Sequence, residues 1–161
     1  MKRLMQFALL PIDSLRPHEQ FDPDKAEEVR KEIERTGQVT DPVWVSRQDR
    51  VILNGHHRVE ALRALGAVKI PAFLVDYSDE SITLERWRPG PPIRKQEVLD
   101  RARRGELFPP KTTRHGVAGP TPVRITPLAA LLASPGRSTG AGHPVAPRGS
   151  RGGVRSAGGG V

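Results

Sequence analysis

The sequence contains no cysteine among its 161 residues. Disulfide bonds, zinc sites built from thiolates and catalysis by a cysteine nucleophile are therefore all excluded. No apolar run approaches the roughly 18 residues that a membrane-spanning helix needs. The first residues, MKRLMQFALLPID, are too short and too soon interrupted by proline and aspartate to be a secretory signal. These absences predict a cytoplasmic protein with no membrane partner.

Acidic residues are missing from the C-terminal part of the chain. Between Gly116 and Val161 there is no Asp or Glu, whereas five arginines lie there. The whole chain has 26 basic and 18 acidic residues, so 21 bases remain against 18 acids, and residues 1–115 carry about +3. Because the basicity belongs largely to this end, the high net charge is weak evidence for a nucleic-acid-binding fold. A contact with nucleic acid through the basic tail stays open.

The last 29 residues also have almost nothing to bury. Residues 133–161 consist mainly of Gly, Pro, Ser and Arg, and nine of them are glycines. A segment of this composition cannot offset the entropy lost on ordering. We therefore predict one folded domain over residues 1–132 and a disordered tail over residues 133–161.

Between these ends, strand and helix patterns alternate. Asp22 followed by Pro23 is typical of a helix start, and Gly37 marks the end of that helix. Pro71 has no amide hydrogen, and at the start of its strand it is tolerable if that strand lies at an edge of the sheet. The pattern predicts an α+β domain, with strands at 6–10, 42–45, 51–53, 70–76 and 82–87, and helices at 23–36, 56–65 and 97–104.

The most informative stretch, VILNGHHRVEALRALG, begins at Val51. A short apolar strand turns at Asn54 and Gly55 into a helix, whose first backbone N–H groups are left free. The helix dipole favours anions at that end, so cationic side chains are misplaced there unless an anion binds. Three potentially cationic residues nevertheless occupy the first turn: His56, His57 and Arg58. We interpret this turn as a phosphate-binding site rather than a solvated junction.

A metal site at this turn is disfavoured. Neighbouring helical positions diverge by about 100°, so the two adjacent histidines do not suit a shared ion. We therefore assign no metal ligands to the chain.

Two further stretches could contribute to the same site. Glu19, in the loop PHEQ, could act as a general base or help to hold magnesium near phosphates if the fold brings it to the helix start. Taken alone, it is an ordinary solvated residue. The segment PKTTRH at 110–115 combines hydroxyls and cations that suit phosphate or carboxylate, although an ordinary basic loop is an equal alternative. Trp87 is by default a packing residue.

In order along the chain, these motifs resemble the ParB/sulfiredoxin superfamily. The stretches LRPHEQ and LNGHHRVEALRALGA, followed by a strand ending in VDY, carry the resemblance over residues 6–132. The closing RRGELFPPKTTRH is similar to the ParB-like free L-serine kinase group. The resemblance implies a compact domain with a small mixed sheet flanked by helices. It also implies phosphoryl transfer from ATP or ADP, with Mg²⁺, to the hydroxyl of free L-serine or a similar small molecule.

The resemblance also implies a role for each motif residue. Glu19 would be the base that takes the proton of the substrate hydroxyl. Phosphates of the nucleotide would be bound by Asn54, Gly55, His56, His57, Arg58, Lys111, Thr112 and Thr113. The small-molecule substrate would be contacted by Trp87, Arg114 and His115.

The chain departs from this group at Asn54, where Asp is common, and it lacks an insertion that the well-known members carry after the tryptophan strand. Sulfiredoxin activity is excluded because it requires a cysteine where this chain has His56. Chromosome-partitioning ParB proteins carry a helix-turn-helix domain, which residues 116–161 do not fit. The alternative is therefore a ParB-like nucleotide-binding or DNA-associated regulatory module without kinase activity.

Overall fold

The structure, a computed structural model, describes residues 4–133. The predicted disordered tail lies outside the described residues, apart from Ala133. The described part contains three α-helices: α1 (Pro23–Thr36), α2 (His56–Ala64) and α3 (Lys95–Arg104). Its strands are β1 (Met5–Pro11), β2 (Gln38–Val39), β3 (Val43–Ser46), β4 (Ile52–Asn54), β5 (Lys69–Val75), β6 (Ile82–Arg86), β7 (Thr113–Val117) and β8 (Thr126–Pro127). No helix within residues 4–133 is long and apolar enough to cross a membrane.

A four-stranded mixed sheet in the order β1-β5-β3-β4 forms the centre of the fold. Strand β5 runs antiparallel to β1 and parallel to β3. Strands β3 and β4 form a hairpin, whose turn residues Asp49 and Arg50 have φ angles of 66° and 53°. The predicted α+β class, with a small mixed sheet and flanking helices, is confirmed.

Pro71 corrects one prediction. Its strand, β5, is not at an edge but lies between β1 and β3. Pro71 is opposite Leu9 of β1, and the pairing with β3 begins only with Ala72 opposite Val43. The missing amide hydrogen therefore falls outside the parallel ladder. The continuous buried run from Ile70 to Phe73 is typical of an interior strand covered on both faces.

Helix α1 begins and ends where the sequence predicts. The Asp22 carboxylate accepts a hydrogen bond from the Asp24 backbone N–H at 2.9 Å, which caps the first turn. At the other end, Gly37 adopts the left-handed conformation with φ of 72°, as is common after the last helical residue.

Alternate side chains of the sheet serve two cores, one on each face. The first lies under α1 and α2 and includes Val43, Ile70 and Leu62. The second lies under α3 and the antiparallel pair of β6 and β7, and it includes Phe73 and Val98. Since neighbouring residues of a strand point to opposite faces, β3, β4 and β5 contribute to both cores.

Strand β7 corrects a second prediction. The sequence predicts no strand at 110–115, but Thr113–Val117 is a strand antiparallel to β6. Its own residues show no apolar alternation, so pairing with β6, from Arg86–Thr113 to Ile82–Val117, specifies the strand. The pairing also fixes the position of the residues just before it.

Candidate active site

A cleft of about 260 Å³ lies at the start of α2. It is lined by residues from all three segments that the sequence singled out, together with Lys25, Val29 and Leu53. The predicted residues in its walls are Glu19, Asn54, Gly55, His56, His57, Arg58, Trp87, Lys111 and Thr113. Residues separated by more than 90 positions in the sequence therefore meet in one place.

The turn from β4 into α2 depends on Gly55. Its φ of 109° lies in the region that favours glycine, and a Cβ atom there would lie 2.5 Å from Cγ1 of the buried Val43. No side chain caps α2, and its first turn has no acidic residue. Within residues 4–133 the backbone N–H groups of His56, His57 and Arg58 have no hydrogen-bond acceptor. The helix start thus presents free donors to the cleft.

Arg58 supplies a full positive charge at the same place. Its guanidinium makes one long hydrogen bond, from Nη1 to the Pro42 carbonyl at 3.4 Å. Burial lowers the pKa of Arg58, and the nearby charge of Asp41 acts in the opposite direction. A largely buried guanidinium with this little compensation suits an anionic ligand.

The two histidines of the turn are not the cations that the sequence suggested. Nε2 of His57 accepts a hydrogen bond from the Asp22 backbone N–H at 2.9 Å, and Nε2 of His56 accepts one from the His18 N–H at 3.3 Å. Burial lowers the pKa of His56 well below its usual range and also lowers the pKa of His57. Both rings are therefore neutral acceptors that attach the loop at 18–22 to α2.

Glu19 is held in the cleft by the segment before β7. Its Oε1 accepts hydrogen bonds from the Thr113 backbone N–H at 2.9 Å and from the Thr113 hydroxyl at 2.7 Å. Its Oε2 accepts one from the Lys111 backbone N–H at 3.0 Å. Lys111 has a φ of 57°, an uncommon conformation for a residue with a side chain. The carboxylate is consequently fixed in orientation, with one side of Oε2 open.

His18 was not predicted as a site residue. It is 0% exposed, with Nδ1 2.7 Å from the Ile52 carbonyl and Nε2 2.8 Å from the Thr113 hydroxyl. The centre of its ring lies 4.7 Å from that of His56 and 5.6 Å from that of His115. Only its place next to Glu19 in the sequence could have drawn attention to it, because a polar loop residue is expected to be solvated.

Trp87 lies at the outer end of the cleft wall, whereas Thr112, Arg114 and His115 lie around the cleft rather than in its walls. Trp87 is 55% exposed at the rim, and the Arg114 guanidinium lies 5.0 Å from the centre of its ring. The Thr112 hydroxyl donates to a backbone carbonyl at 2.6 Å. His115 points away, and its Nε2 lies 2.8 Å from the Tyr77 hydroxyl. Burial lowers the pKa of His115 to about 3.

A second cavity, of about 290 Å³, lies beside the cleft. It is formed by the C-terminal half of α1 and by residues 38–41, and it shares Val29 and Arg58 with the cleft. Arg58 therefore lies between two adjoining spaces.

Within residues 4–133 no group of three or more His, Cys, Asp or Glu side chains could hold a metal ion. Among the described residues, Glu19 is the only carboxylate in the cleft wall, and it already accepts three hydrogen bonds. Magnesium commonly reaches protein sites bound to substrate phosphates and keeps several waters. A magnesium–nucleotide, rather than a resident metal ion, suits this set of donors.

Comparison with known proteins identifies relatives that are named L-serine kinases. The chain is 34% identical over 85 residues to an ATP-dependent L-serine kinase from Staphylothermus marinus. It is 25% identical over 107 residues to an ADP-dependent L-serine kinase from Thermococcus kodakarensis. The matches cover 50% and 64% of this chain but only 34% and 44% of those relatives, so the chain spans less than half of their length.

The fold is similar to that of a free serine kinase solved in complex with AMP. The TM-score is 0.70 at 17% sequence identity, and the match covers 82% of this chain and 95% of the solved one. The family model described as the ParB N-terminal domain matches residues 3–85, which is more than half of the chain. On these grounds the chain belongs to the ParB N-terminal domain family.

Proposed function

We propose that the protein is a phosphotransferase that moves a phosphoryl group from ATP or ADP to the hydroxyl of free L-serine or a similar small molecule. The observation that carries this proposal is the cleft itself. In it, the carboxylate of Glu19 faces the same space as the uncapped start of α2 and the Arg58 guanidinium. A base and an anion site in one cleft are the two parts that phosphoryl transfer to a hydroxyl requires.

The donor binds by its phosphates at the start of α2. The free N–H groups of residues 56–58 and the helix dipole favour negative charge there, and Arg58 and Lys111 add full positive charges. Mg²⁺ bound to those phosphates would neutralise part of their charge. The nucleoside extends past Arg58 into the adjoining cavity between α1 and residues 38–41.

The acceptor hydroxyl binds at Glu19. An ionised carboxylate has about four acceptor positions, and three of them are used by Thr113 and Lys111. The remaining position, on Oε2, takes the proton of the acceptor hydroxyl while the oxygen of that hydroxyl attacks the terminal phosphorus. Arg114, whose guanidinium lies over the Trp87 ring at the rim, would pair with the carboxylate of an amino-acid substrate.

The names of the relatives support this substrate class and leave the donor open. One is ATP-dependent and another ADP-dependent, and the residues that would bind phosphates do not separate the two. The chain could use either donor with the same cleft.

The direct test is to incubate the protein with serine, magnesium and either ATP or ADP, and to measure phosphoserine by mass spectrometry. We expect phosphoserine with at least one donor and its loss in Glu19→Gln, which keeps the size of the side chain but removes the base. Circular dichroism should show that the variant is folded. Equal turnover by the wild type and Glu19→Gln would refute the role of Glu19.

Asn54 motivates the alternative, a nucleotide-binding module without kinase activity. It lines the cleft with an uncharged amide, which leaves Glu19 as the only acid there. The same experiment separates the two functions. Binding of ATP or ADP by calorimetry without phosphoserine formation, for serine and for other small hydroxyl compounds, would favour the module.

A further inference from the structure

His18 has no part in the function proposed above, although it is fully buried directly beside the proposed base. Its two ring nitrogens belong to a continuous chain of short contacts. Nδ1 lies 2.7 Å from the Ile52 carbonyl, and Nε2 lies 2.8 Å from Oγ1 of Thr113. The same Oγ1 lies 2.7 Å from Oε1 of Glu19. The chain therefore runs from a backbone carbonyl through His18 and Thr113 to the carboxylate.

The number of hydrogens restricts which atoms of this hydrogen-bond chain can be donors. A carbonyl only accepts, so Nδ1 of His18 carries a hydrogen. The Thr113 hydroxyl has a single hydrogen. If that hydrogen points to an ionised Glu19, Nε2 faces an oxygen lone pair and needs a hydrogen of its own, which makes His18 an imidazolium.

The opposite arrangement, in which the Thr113 hydroxyl donates to His18, needs the same number of protons. If the Thr113 hydroxyl donates to a neutral His18, its oxygen faces Oε1 at 2.7 Å, and Glu19 must then carry a hydrogen. With neutral His18 and ionised Glu19, one of the two contacts brings lone pairs together. Every contact is a hydrogen bond only when His18, Thr113 and Glu19 together hold one proton more than they do with His18 neutral and Glu19 ionised.

We propose that His18 and Glu19 share this proton through the Thr113 hydroxyl, and that His18 is a positioning residue that sets the protonation state of the catalytic carboxylate. In one form, the proton is on Nε2 and Glu19 is ionised. In the other, the Nε2 proton passes to Oγ1 as the hydroxyl hydrogen passes to Oε1, which neutralises both residues. The sharing itself does not depend on the proposed function, but its catalytic consequence does.

Only the first form can serve as a base. There, Oε2 takes the hydroxyl proton of the acceptor, and the electron pair of the broken O–H bond stays on the oxygen that attacks phosphorus. As the new O–P bond forms, the bond from that phosphorus to the bridging oxygen of the donor breaks, and the nucleotide that is one phosphate shorter leaves. The product side then carries protonated Glu19 beside an imidazolium, until Glu19 loses its proton to solvent through the open side of the cleft.

The surroundings of His18 single out Glu19 as its charged partner. His56 and His115 also face the ring, and burial lowers the pKa of both, so they are neutral near pH 7. Burial is also the largest influence on His18 and leaves its pKa below the usual value, although the charge of Glu19 and the hydrogen bond to the Ile52 carbonyl act in the opposite direction. Phe108 contributes only an apolar edge, with its ring centre 6.3 Å away.

The test is an NMR titration of the His18 imidazole in the full-length protein without ligands. We expect the His18 pKa to fall by roughly 1–3 units in Glu19→Gln, because the opposite charge is removed. Thr113→Val removes only the bridging hydroxyl and should also lower it, whereas the matched control Thr113→Ser should retain the wild-type value. A His18 pKa that is the same in Thr113→Val as in the wild type would overturn the proposal.

A second measurement connects the hydrogen-bond chain from His18 to Glu19 with turnover. The acidic limb of the pH profile for phosphoserine formation should move in Thr113→Val and keep its wild-type position in Thr113→Ser. An unmoved limb in Thr113→Val would overturn the catalytic consequence. If the wild type makes no phosphoserine while the titrations behave as expected, the proposed function fails and the shared proton stands. Should Thr113→Val fail to fold, Thr113→Ala removes the same hydroxyl.

Discussion

Gly55 shows how closely a single residue controls the cleft. A side chain here must tolerate a φ of 109° and also displace the buried Val43, whose Cγ1 would lie 2.5 Å away. We expect Gly55→Ala to lower the free energy of unfolding by about 2–5 kcal/mol, the sum of backbone strain and overpacking. Urea denaturation monitored by circular dichroism measures this loss.

Gly66→Ala is the matched control for this substitution. Gly66 also has a positive φ, of 84°, but no atom lies within 4 Å of its added Cβ. Gly66→Ala should lower the free energy of unfolding only by the backbone strain, about 1–2 kcal/mol. If both variants lost the same free energy, the contact with Val43 would not be what restricts position 55.

His56 and His115 make stability depend on pH. Burial lowers the pKa of His115 to about 3 and that of His56 well below its usual range, while an unfolded histidine takes up a proton near pH 6.5. Their contribution to stability is thus complete above the unfolded pKa and declines as the pH falls towards the folded values. Each histidine should cost up to about 1.4 kcal/mol per pH unit in this window.

Chemical denaturation between pH 7 and pH 5 checks this expectation. The free energy of unfolding should fall most steeply below pH 6.5. His115→Gln should reduce the slope of that free energy against pH by the contribution of one proton, about 1.4 kcal/mol per pH unit. Stability that stays constant over this range would mean that the two rings take up protons in the folded state.

At the scale of elements, α2 holds the loop that carries the base. His57 accepts the Asp22 N–H at 2.9 Å, and the other edge of the loop bonds to Phe108, with Gln20 N–H to the Phe108 carbonyl at 2.8 Å. One such hydrogen bond contributes about 0.5–1.5 kcal/mol. We expect His57→Ala to speed amide hydrogen exchange in residues 18–22 by roughly 2–10-fold, and to slow phosphoserine formation.

His57→Gln supplies the control, since its amide oxygen can accept the same hydrogen bond. It should retain most of the protection in residues 18–22. The opposite pattern, unchanged exchange with weaker nucleotide binding in both variants, would show that His57 contacts the phosphates instead of positioning Glu19.

The elements also show which parts of the fold a sequence can predict. Helix α1 was predicted to the residue because its signals are local: Asp22 caps it, Pro23 starts it and Gly37 ends it. Strand β7 and the interior position of β5 were missed because pairing partners far along the chain decide both. Local patterns do not carry that information.

The site followed the same rule. Glu19, the turn at 54–58 and Lys111 were each recognisable as motifs, and they meet in the cleft. His18 was missed because its burial depends on strands β4 and β7, which pack against a loop that looks solvated in the sequence. The neutral state of His56 and His57 likewise depends on backbone donors from that distant loop.

At the scale of the whole molecule, the first core is completed by the last described residues. Leu131 is fully buried among the side chains under α1 and α2. Backbone hydrogen bonds attach the same segment to the rest of the fold, from Val68 N–H to the Leu131 carbonyl at 2.8 Å and from Leu128 N–H to the Gly37 carbonyl at 2.9 Å. The domain boundary that we propose, near residue 132, therefore lies directly after a core residue.

Two truncated chains test this boundary and the role of the tail together. A chain ending at Ala133 should keep the melting temperature and the phosphoserine activity of the full chain. A chain ending at Arg124 lacks Leu131, and its free energy of unfolding should be lower by about 2–5 kcal/mol. Leu131→Ala in the full chain should largely reproduce this decrease. If salt-sensitive DNA binding is found, it should vanish from the chain ending at Ala133, because four of the five arginines of the acid-free segment have been removed. DNA binding that survives this truncation would instead locate the nucleic-acid contact on the folded domain and favour the regulatory alternative.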